Sequence, residues 1–394
     1  MSATTHATMW IYVWDLLDEG IDAVLRRLRE EVGLDAISVA TSYHTVAHLR
    51  PHSPAGRWFV AHDAAVYFRP DAALWQGLRL QPHVSALAQE RNPLAEICAA
   101  AERRGLRVIS WTVCLHNTRL GRLHPDCAVQ NAYGDVLTSD LCPANPDVRA
   151  YITTLARDLS SNYPLAALEL ESIGYSGWAH FHAHEKIGFD LGPTGRFLLE
   201  LCFCTHCRER GQAHGVDVAQ LQNAVRATLD DAFARGAAVT ARAEDLIEQL
   251  PGLRTYLQAR EETVTSLVRE VRAASRRPIR TIYLGAWHTS GGNTQALAEQ
   301  SESIDVLAYT AVAEQVRRMV RSVLEEMGPQ GSPDRLLVGL QAYPPHATSA
   351  DVLVANVRAA LELGVRRFSF YNYGIMPLPC LRWVAEAVRA IRSA

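Results

Sequence analysis

Two groups of residues in this chain have types and spacings that suit chemistry. Glu169 and Glu171 alternate with leucines in an apolar run, and Cys202, Cys204 and Cys207 lie within six residues. Because side chains alternate along a strand, the two glutamates are expected to share one face, pointing into the protein. Two carboxyls so close should shift each other's pKa values apart, so that one stays protonated near neutral pH. The pair therefore predicts two catalytic carboxyls, with Glu171 as the proton donor and Glu169 as its pKa-tuning partner or second carboxylate.

A second interpretation of the glutamates is structural. In it, Glu169 pairs with a buried arginine or with tyrosines, and Glu171 alone reaches solvent. Both interpretations place Glu171 at the end of the strand, where a substrate would meet it.

The cysteine cluster has the spacing of metal ligands. A tetrahedral zinc site needs a fourth ligand in addition to Cys202, Cys204 and Cys207, and we expect Cys142, with Cys127 in reserve. Four sulfurs would form a closed structural site without a position for substrate. The alternative is a set of reduced thiols at the start of a helix.

The elements around these groups alternate short apolar runs with longer amphipathic stretches, as in a β/α protein with a parallel sheet. Eight strands are predicted, at residues 9–14, 35–41, 106–115, 166–171, 279–285, 304–309, 336–341 and 368–373. The pattern predicts a (β/α)8 TIM barrel forming one domain over residues 1–394. Long loops follow strands two and four, the first reaching about residue 90 and the second an insertion at about 172–275 that carries the cysteines. A doubly wound sheet is disfavoured, since the first turn lacks glycine-rich character.

Polar and aromatic residues follow nearly every predicted strand, at the rim where TIM barrels carry their active sites. Such a ring suits a sugar, whose faces stack on aromatic rings and whose hydroxyls need fixed partners. The predicted substrate-binding residues are Asp15, His44, His116, Asn117, His182, Trp287, His288, Tyr309, Gln341, Tyr371 and Asn372.

Composition excludes several classes of partner. The 394 residues carry 39 basic and 42 acidic side chains, a net charge of -3, and no basic stripe, so nucleic acid is not expected. No apolar run is long enough to span a membrane, and no secretory signal is visible. Eight cysteines without such a signal predict reduced thiols in the cytoplasm. The sequence leaves a homo-oligomer open.

Residues 140–208 resemble the middle of the family 42 β-galactosidases. The resemblance lies in Asp140-Leu-Cys142-Pro-Ala-Asn-Pro146, a strand ending in Glu171, and Cys202-Phe-Cys204-Thr-His-Cys207. It implies a retaining glycoside hydrolase on a (β/α)8 barrel, with Glu171 as acid/base and the four cysteines holding structural zinc. More broadly, the chain looks like uncharacterised glycosidase-like barrels with this cysteine cluster.

The chain departs from that family at two catalytic positions. Leu170 stands where the family has Asn, and the seventh strand ends Gly339-Leu-Gln341 without the family's nucleophilic glutamate. A retaining mechanism needs a second carboxylate about 5 Å from the acid. The nearest alternatives are Glu169 and Asp15, or an acetamido group of the substrate itself.

Three functional hypotheses follow. The leading one is a glycosidase acting on a carbohydrate, and the second is a non-catalytic carbohydrate-binding protein on a decayed hydrolase barrel. The third is a metal-dependent lyase or hydrolase, because His180, His182 and His184 alternate and could face one metal with Glu185 and His116. A loop of surface or substrate-contacting histidines is the simpler interpretation of that run.

Overall fold

Eight parallel strands form a closed barrel in the computed structural model, which describes residues 6–176 and 186–394. The barrel strands, in chain order, are β1 (His6–Tyr12), β2 (Ala36–Tyr43), β3 (Arg107–Val113), β4 (Ala167–Glu171), β5 (Ile279–Ile282), β6 (Ser303–Leu307), β7 (Leu336–Gln341) and β8 (Arg367–Tyr371). Each strand pairs in parallel with its neighbours, and β1 pairs with both β2 and β8, which closes the sheet. The predicted (β/α)8 barrel is confirmed.

Helices surround the barrel and bury its outer face. In the described ranges they are Val13–Glu19, Ile21–Arg26, Arg27–Val32, Ala72–Trp75, Ala86–Gln89, Pro93–Arg103, Thr118–Leu123, Pro146–Asn162, Gly192–Glu200, Thr205–Ala213, Val218–Arg235, Ala243–Gln249, Leu253–Ala274, Trp287–Ser290, Thr294–Gln300, Ala313–Glu326, Ala350–Leu361 and Cys380–Arg392, with single turns at Pro125–Cys127, Gly328–Gln330 and Pro333–Arg335. Within the described part of the chain, no helix has both the length and the apolar character to cross a membrane.

Strand register sets which side chains face the barrel interior. Glu169 of β4 lies beside Trp111 of β3 and Arg280 of β5, and Glu171 lies beside Val113. Because side chains alternate, these positions form successive interior layers, with Glu171 nearer the carboxyl end of the strands. This end is where barrel active sites are built.

The loop after β2 contains a hairpin, which the sequence analysis did not predict. Val46–Leu49 pairs antiparallel with Trp58–Ala61. Its inner face packs on the barrel: the Phe59 ring stacks on Trp14 at 4.5 Å between centroids, and His48 lies 5.0 Å from Tyr12. A further short strand, Ala65–Val66, pairs antiparallel with β2. The loop therefore covers Tyr12 at the end of β1 and Trp14 just after it.

Buried charges hold this hairpin loop in place. Arg50 Nε lies 3.2 Å from Asp15 Oδ1, and Arg50 Nη2 donates to Asp18 at 2.5 Å. His52 Nδ1 lies 2.8 Å from Glu19 Oε1, while Nε2 donates to the Tyr373 carbonyl at 2.9 Å. Both ring nitrogens face oxygen acceptors, an arrangement that suits the imidazolium form.

We expect His52→Gln to destabilise the fold more at about pH 6 than at about pH 9. Burial opposes the charged ring, but Glu19 and the Tyr373 carbonyl raise the pKa of His52 above 6.5. A raised pKa gives stabilisation that is complete below the unfolded-state value and is lost as pH rises through the folded-state value. The expected loss at the lower pH is about 1–3 kcal/mol, measured by denaturant unfolding.

His214→Gln is the matched control, because His214 forms an exposed pair with Glu262, where a salt bridge contributes little. An equal loss of stability at both pH values for His52→Gln would contradict the expectation that the protonated His52 ring stabilises the hairpin loop.

Candidate active site and cysteine cluster

Glu171 is placed at the mouth of the barrel, at the end of β4. Its side chain is partly exposed, whereas the four residues before it in β4 are buried. The Trp111 indole N–H donates to Glu171 Oε2. Burial raises the pKa of Glu171, and this hydrogen bond opposes the rise. A carboxyl with a raised pKa at an accessible position can hold and release a proton.

Tyrosine hydroxyls surround this carboxyl. Tyr12 Oη lies 3.1 Å from Tyr43 Oη and 3.2 Å from Tyr371 Oη, so three hydroxyls form one connected cluster. Tyr309 packs beside Tyr371 at 5.5 Å between ring centroids. Burial raises the pKa of Tyr371, and the negative charge of Glu171 raises it further. The tyrosines are therefore neutral hydroxyls that can donate or accept hydrogen bonds.

Trp111 connects these groups. Its ring lies 4.9 Å from Tyr43 and 6.0 Å from Tyr371, both edge-on. One indole thus holds Glu171 and packs against two members of the hydroxyl cluster. We call Glu171, Trp111 and the tyrosines at 12, 43, 309 and 371 the mouth cluster.

Glu169 lies in the layer below and is 1% exposed. Its Oε2 accepts from Trp10 Nε1 at 2.6 Å and from Ser38 Oγ at 2.5 Å. Burial raises the pKa of Glu169, and the neighbouring carboxyl that raises it further is Asp305 of β6. The charge that tunes the pKa of Glu169 therefore comes from β6, two strands away in the barrel, and the predicted mutual tuning with Glu171 is replaced by this pair.

A glycine on β7 makes room for this arrangement. A Cβ at Gly339 would lie 2.6 Å from Trp10 Cη2, which is closer than a Cβ approaches another carbon atom in folded proteins. The absence of a side chain at Gly339 therefore allows the Trp10 ring to occupy the interior and reach Glu169.

The polar groups of three predicted substrate-binding residues bind groups of the protein itself. Asp15 lies in the helix Val13–Glu19, not at a strand end, and it is buried beside Arg50. Asn117 Oδ1 caps the helix Thr118–Leu123 by accepting from Leu120 N at 2.9 Å. Asn372 is fully buried, and its Oδ1 accepts from Gly374 N at 3.0 Å. These side chains stabilise turns and helix ends, and their predicted contact with a substrate stays a prediction.

Other predicted residues do meet at the rim. His44 stacks on His116 with 4.3 Å between ring centroids, and Tyr43 stacks on the other side of His44 at the same distance. Gln341, the last residue of β7, lies in register with Tyr371, and its Nε2 contacts the Tyr343 carbonyl at 3.3 Å. This column and this amide lie beside the mouth cluster.

Trp287 and His288 begin a short helix after β5. The His288 ring packs edge-on against Phe197 at 4.9 Å, and burial lowers its pKa. Trp287 lines an open cleft with Tyr283 and Asn293, which follow β5. His182 and the alternating histidines at 180 and 184, with Glu185, lie outside the described residues.

The four predicted cysteine ligands come together. The sulfurs of Cys142, Cys202, Cys204 and Cys207 are buried and lie within 4.8 Å of one another. The Cys142 sulfur is 3.8, 3.5 and 3.4 Å from those of the other three in that order. A disulfide needs about 2.05 Å, whereas a tetrahedron with Zn–S of about 2.3 Å places sulfurs about 3.8 Å apart. The cluster fits a metal ion and excludes a disulfide, while Cys127, the reserve, lies elsewhere.

Polar groups surround the cluster and orient its sulfurs. The Gln130 backbone N–H points at Cys202 Sγ at 3.5 Å, and Tyr175 Oη lies 3.3 Å from Cys207 Sγ. Arg260 lies over the Tyr175 ring at 4.1 Å. Such outer contacts are typical of a metal site, where they fix the ligands. The cluster connects the segment before the helix Pro146–Asn162 to the start of the helix Thr205–Ala213.

Sequence reasoning missed several members of the interior. Trp111, Tyr12 and Asp305 all sit on the inner face of a strand, and an isolated acid such as Asp305 in an apolar strand was the available signal. Asp140 is buried at the rim opposite His116, and burial raises its pKa to about 7. Its place beside Cys142 in the sequence drew attention to the metal motif instead.

Comparisons with known proteins show the fold. No protein-family model matches the chain, and no curated protein matches it. The glycoside hydrolase domain of PgaB (BpsB) from Bordetella bronchiseptica is 12% identical with a TM-score of 0.59, over 98% of each chain. The catalytic domain of β-amylase from Paenibacillus polymyxa is 12% identical with a TM-score of 0.58, over 99% of each chain.

A β-galactosidase from the psychrophilic Marinomonas ef1 is 11% identical with a TM-score of 0.59. The match covers 98% of this chain and 59% of that one. The barrel is thus of the kind that glycoside hydrolases use, and the neighbours do not single out family 42. At these identities the likeness concerns the fold alone, and the chemistry must be argued from the site.

Proposed function

We propose that this protein is a glycoside hydrolase in which Glu171 donates a proton to the glycosidic oxygen. The observation that carries the proposal is the position of Glu171, partly exposed at the barrel mouth with a pKa raised by burial. A general acid must hold its proton near the working pH and reach the leaving oxygen, and a pKa raised by burial together with a place at the barrel mouth supports this role for Glu171.

The mouth cluster suits a carbohydrate. Tyr309 and Tyr371 are partly exposed, so their hydroxyls can exchange hydrogen bonds with sugar hydroxyls and their rings offer flat apolar faces. The buried hydroxyls of Tyr12 and Tyr43 orient that of Tyr371 from below. The tyrosine oxygens and π faces also favour the positive charge that develops on the sugar ring when the bond breaks. In this proposal Glu171 supplies the acid, and the aromatic ring orients the sugar.

Glu169 supports the acid from below. It holds the Trp10 indole, whose ring lies 6.4 Å from Trp111 and 6.0 Å from Tyr371. We assign Glu169 to positioning, since a side chain that is 1% exposed does not reach a substrate.

We further propose that the cysteine cluster holds zinc in a structural role. Four thiolates close the coordination sphere, so the ion would supply a fixed cross-link and no position for substrate. Cys142, Cys202, Cys204 and Cys207 would hold it. The ion would thus tie the insertion after β4 to the segment after β3.

A second function, carbohydrate binding without hydrolysis, has one observation in its favour. Of the three interior carboxyls at 169, 171 and 305, Glu171 alone is more than slightly exposed. A retaining enzyme would need a second carboxylate near the acid. Release of reducing ends from natural oligosaccharides, or of phenol from aryl glycosides, decides between the two. Binding without any turnover over a broad panel would overturn the hydrolase proposal.

Trp111→Phe is expected to move the alkaline limb of the kcat/KM profile to higher pH. The indole N–H stabilises the ionised form of Glu171 and lowers its pKa, so removing it leaves the acid protonated at higher pH. A hydrogen bond to a charged group of about 1.4 kcal/mol corresponds to about one pH unit. The profile is measured on any glycoside that the wild type turns over.

The control for this shift is Tyr309→Phe, which removes a hydroxyl from the same mouth cluster while Trp111 remains. An alkaline limb that stays in place in Trp111→Phe, or moves to lower pH, would show that Glu171 does not act as the proton donor.

A further inference from the structure

The cleft around Trp287 has the composition of a sugar-binding site separate from the barrel mouth. It has a volume of about 480 Å³ and lies between the helix Leu253–Ala274, the residues after β5 and the end of the helix Ala313–Glu326. We call it the Trp287 cleft. Its lining residues are Arg254, Gln258, Glu261, Tyr283, Gly285, Ala286, Trp287, Gly292, Asn293, Thr294, Gln295 and Glu326.

Two carboxylates in the cleft are fixed by neutral donors. Glu326 accepts from Tyr283 Oη at 2.9 and 3.0 Å, from Thr294 Oγ1 at 2.9 Å and from Ser322 Oγ at 3.3 Å. Glu261 Oε1 accepts from Asn293 Nδ2 at 2.5 Å. Within the described ranges neither carboxylate pairs with an arginine or lysine, and no group of three metal-ligating residues includes them. Glu326 is therefore oriented by three hydroxyls, while Glu261 keeps acceptor capacity for a further donor.

A half-buried indole completes the arrangement. Trp287 is partly exposed to the cleft, as are Tyr283 and Asn293, while the Gln258 and Arg254 side chains are exposed at its edge. A flat aromatic face beside carboxylates, amides and a guanidinium matches a pyranose, which is apolar on its ring face and carries hydroxyls around its edge. An anion would meet two carboxylates, and an apolar ligand would leave these polar groups unpaired.

We infer that the Trp287 cleft binds a neutral sugar unit, and that the substrate is a chain of several sugars, one of which lies here while another occupies the mouth. The inference rests on the proposed function for its choice of ligand. Residues 285–287 follow β5 directly, so the cleft begins at the same end of the barrel as Glu171. A single glycoside would occupy the mouth alone.

Binding of four neutral tetrasaccharides tests the inference: maltotetraose, cellotetraose, N-acetylchitotetraose and β-1,4-galactotetraose. Calorimetry is performed on Glu171→Gln protein, which binds without hydrolysing. We expect at least one tetrasaccharide to bind, and Trp287→Ala in that background to weaken it at least about tenfold, the loss of roughly 1.4 kcal/mol of stacking. Gln258→Ala, an exposed change that leaves the indole in place, is expected to weaken binding by a smaller factor.

Phe233→Ala is the matched control, because Phe233 is an exposed ring on the helix Val218–Arg235, outside the cleft. Its variant should bind like the parent, and near-ultraviolet circular dichroism checks that each variant is folded. If none of the four tetrasaccharides binds, or if Trp287→Ala and Gln258→Ala both bind like the parent, the inference is overturned.

The outcomes separate this inference from the proposed function. Glu171-dependent hydrolysis with no binding effect in the cleft variants would overturn the cleft and leave the hydrolase standing. Tetrasaccharide binding that depends on Trp287, without hydrolysis by the wild type, would support the cleft and overturn the hydrolase.

Discussion

Glu171→Gln is expected to lower kcat on natural oligosaccharides by about 10²- to 10⁴-fold, the usual contribution of a general acid. Glutamine keeps the shape of the side chain and an oxygen for the Trp111 indole, but it has no acidic proton to donate. Aryl glycosides with strongly acidic phenols should lose less, because their leaving groups need little protonation. The measurement is steady-state kinetics on both classes of substrate.

Glu169→Gln is the matched comparison on the same strand. Burial beside Asp305 raises the pKa of Glu169, so at about pH 6 the carboxyl is largely neutral and glutamine resembles it. Trp10 and Ser38 can still donate to the amide oxygen. We expect turnover at about pH 6 to stay within about tenfold of the wild type. If Glu169→Gln lost as much activity as Glu171→Gln, the acid would have to be reassigned to the lower carboxyl.

Cys204→Ser is expected to remove the bound metal and destabilise the protein by several kcal/mol, on the order of the folding energy that structural metal sites contribute. The Cys204 sulfur lies 3.5 Å from that of Cys142 inside the four-cysteine cluster, and serine cannot replace a thiolate ligand. Metal content by mass spectrometry and unfolding in denaturant measure the two effects. We expect one zinc per wild-type chain and far less in the variant.

Cys127→Ser controls for the loss of a buried thiol as such. Cys127 is buried but outside the cluster, where its sulfur lies 3.7 Å from Arg79 Nη1. This variant should keep its metal. A Cys204→Ser protein that retained a full complement of metal and its stability would show that the cluster is not a metal site.

The eight strands were predictable because each is a short run rich in apolar residues, and the barrel follows from their alternation with helices. Their ends were harder to place. Val13 and Trp14 continue the apolar run of β1, yet a helix begins there, and the Asp15 carboxylate accepts from the Tyr12 backbone N–H at its start. Asp15 thus lies within a helix beside Arg50, and no local pattern predicted that ion pair.

The candidate site was predictable where it depended on local spacing. The Glu169 and Glu171 alternation and the Cys202, Cys204 and Cys207 motif each lie within a few residues, and the structure places both as expected. The pairing of Glu169 with Asp305, 136 positions later in the sequence, depends on the two strands that flank β5 in the barrel. No local pattern encodes such a pairing, so it appears only in three dimensions.

Gly339 gives β7 a role despite the missing carboxylate. The strand contributes an empty volume, into which Trp10 of β1, two strands away, extends to meet Glu169. Position 339 therefore tolerates no side chain, since even the methyl group of alanine would displace the Trp10 indole. A nucleophilic carboxylate could therefore be introduced on β7 only with Gly339 retained. Gln341, two residues further along the same inner face, is the position for it.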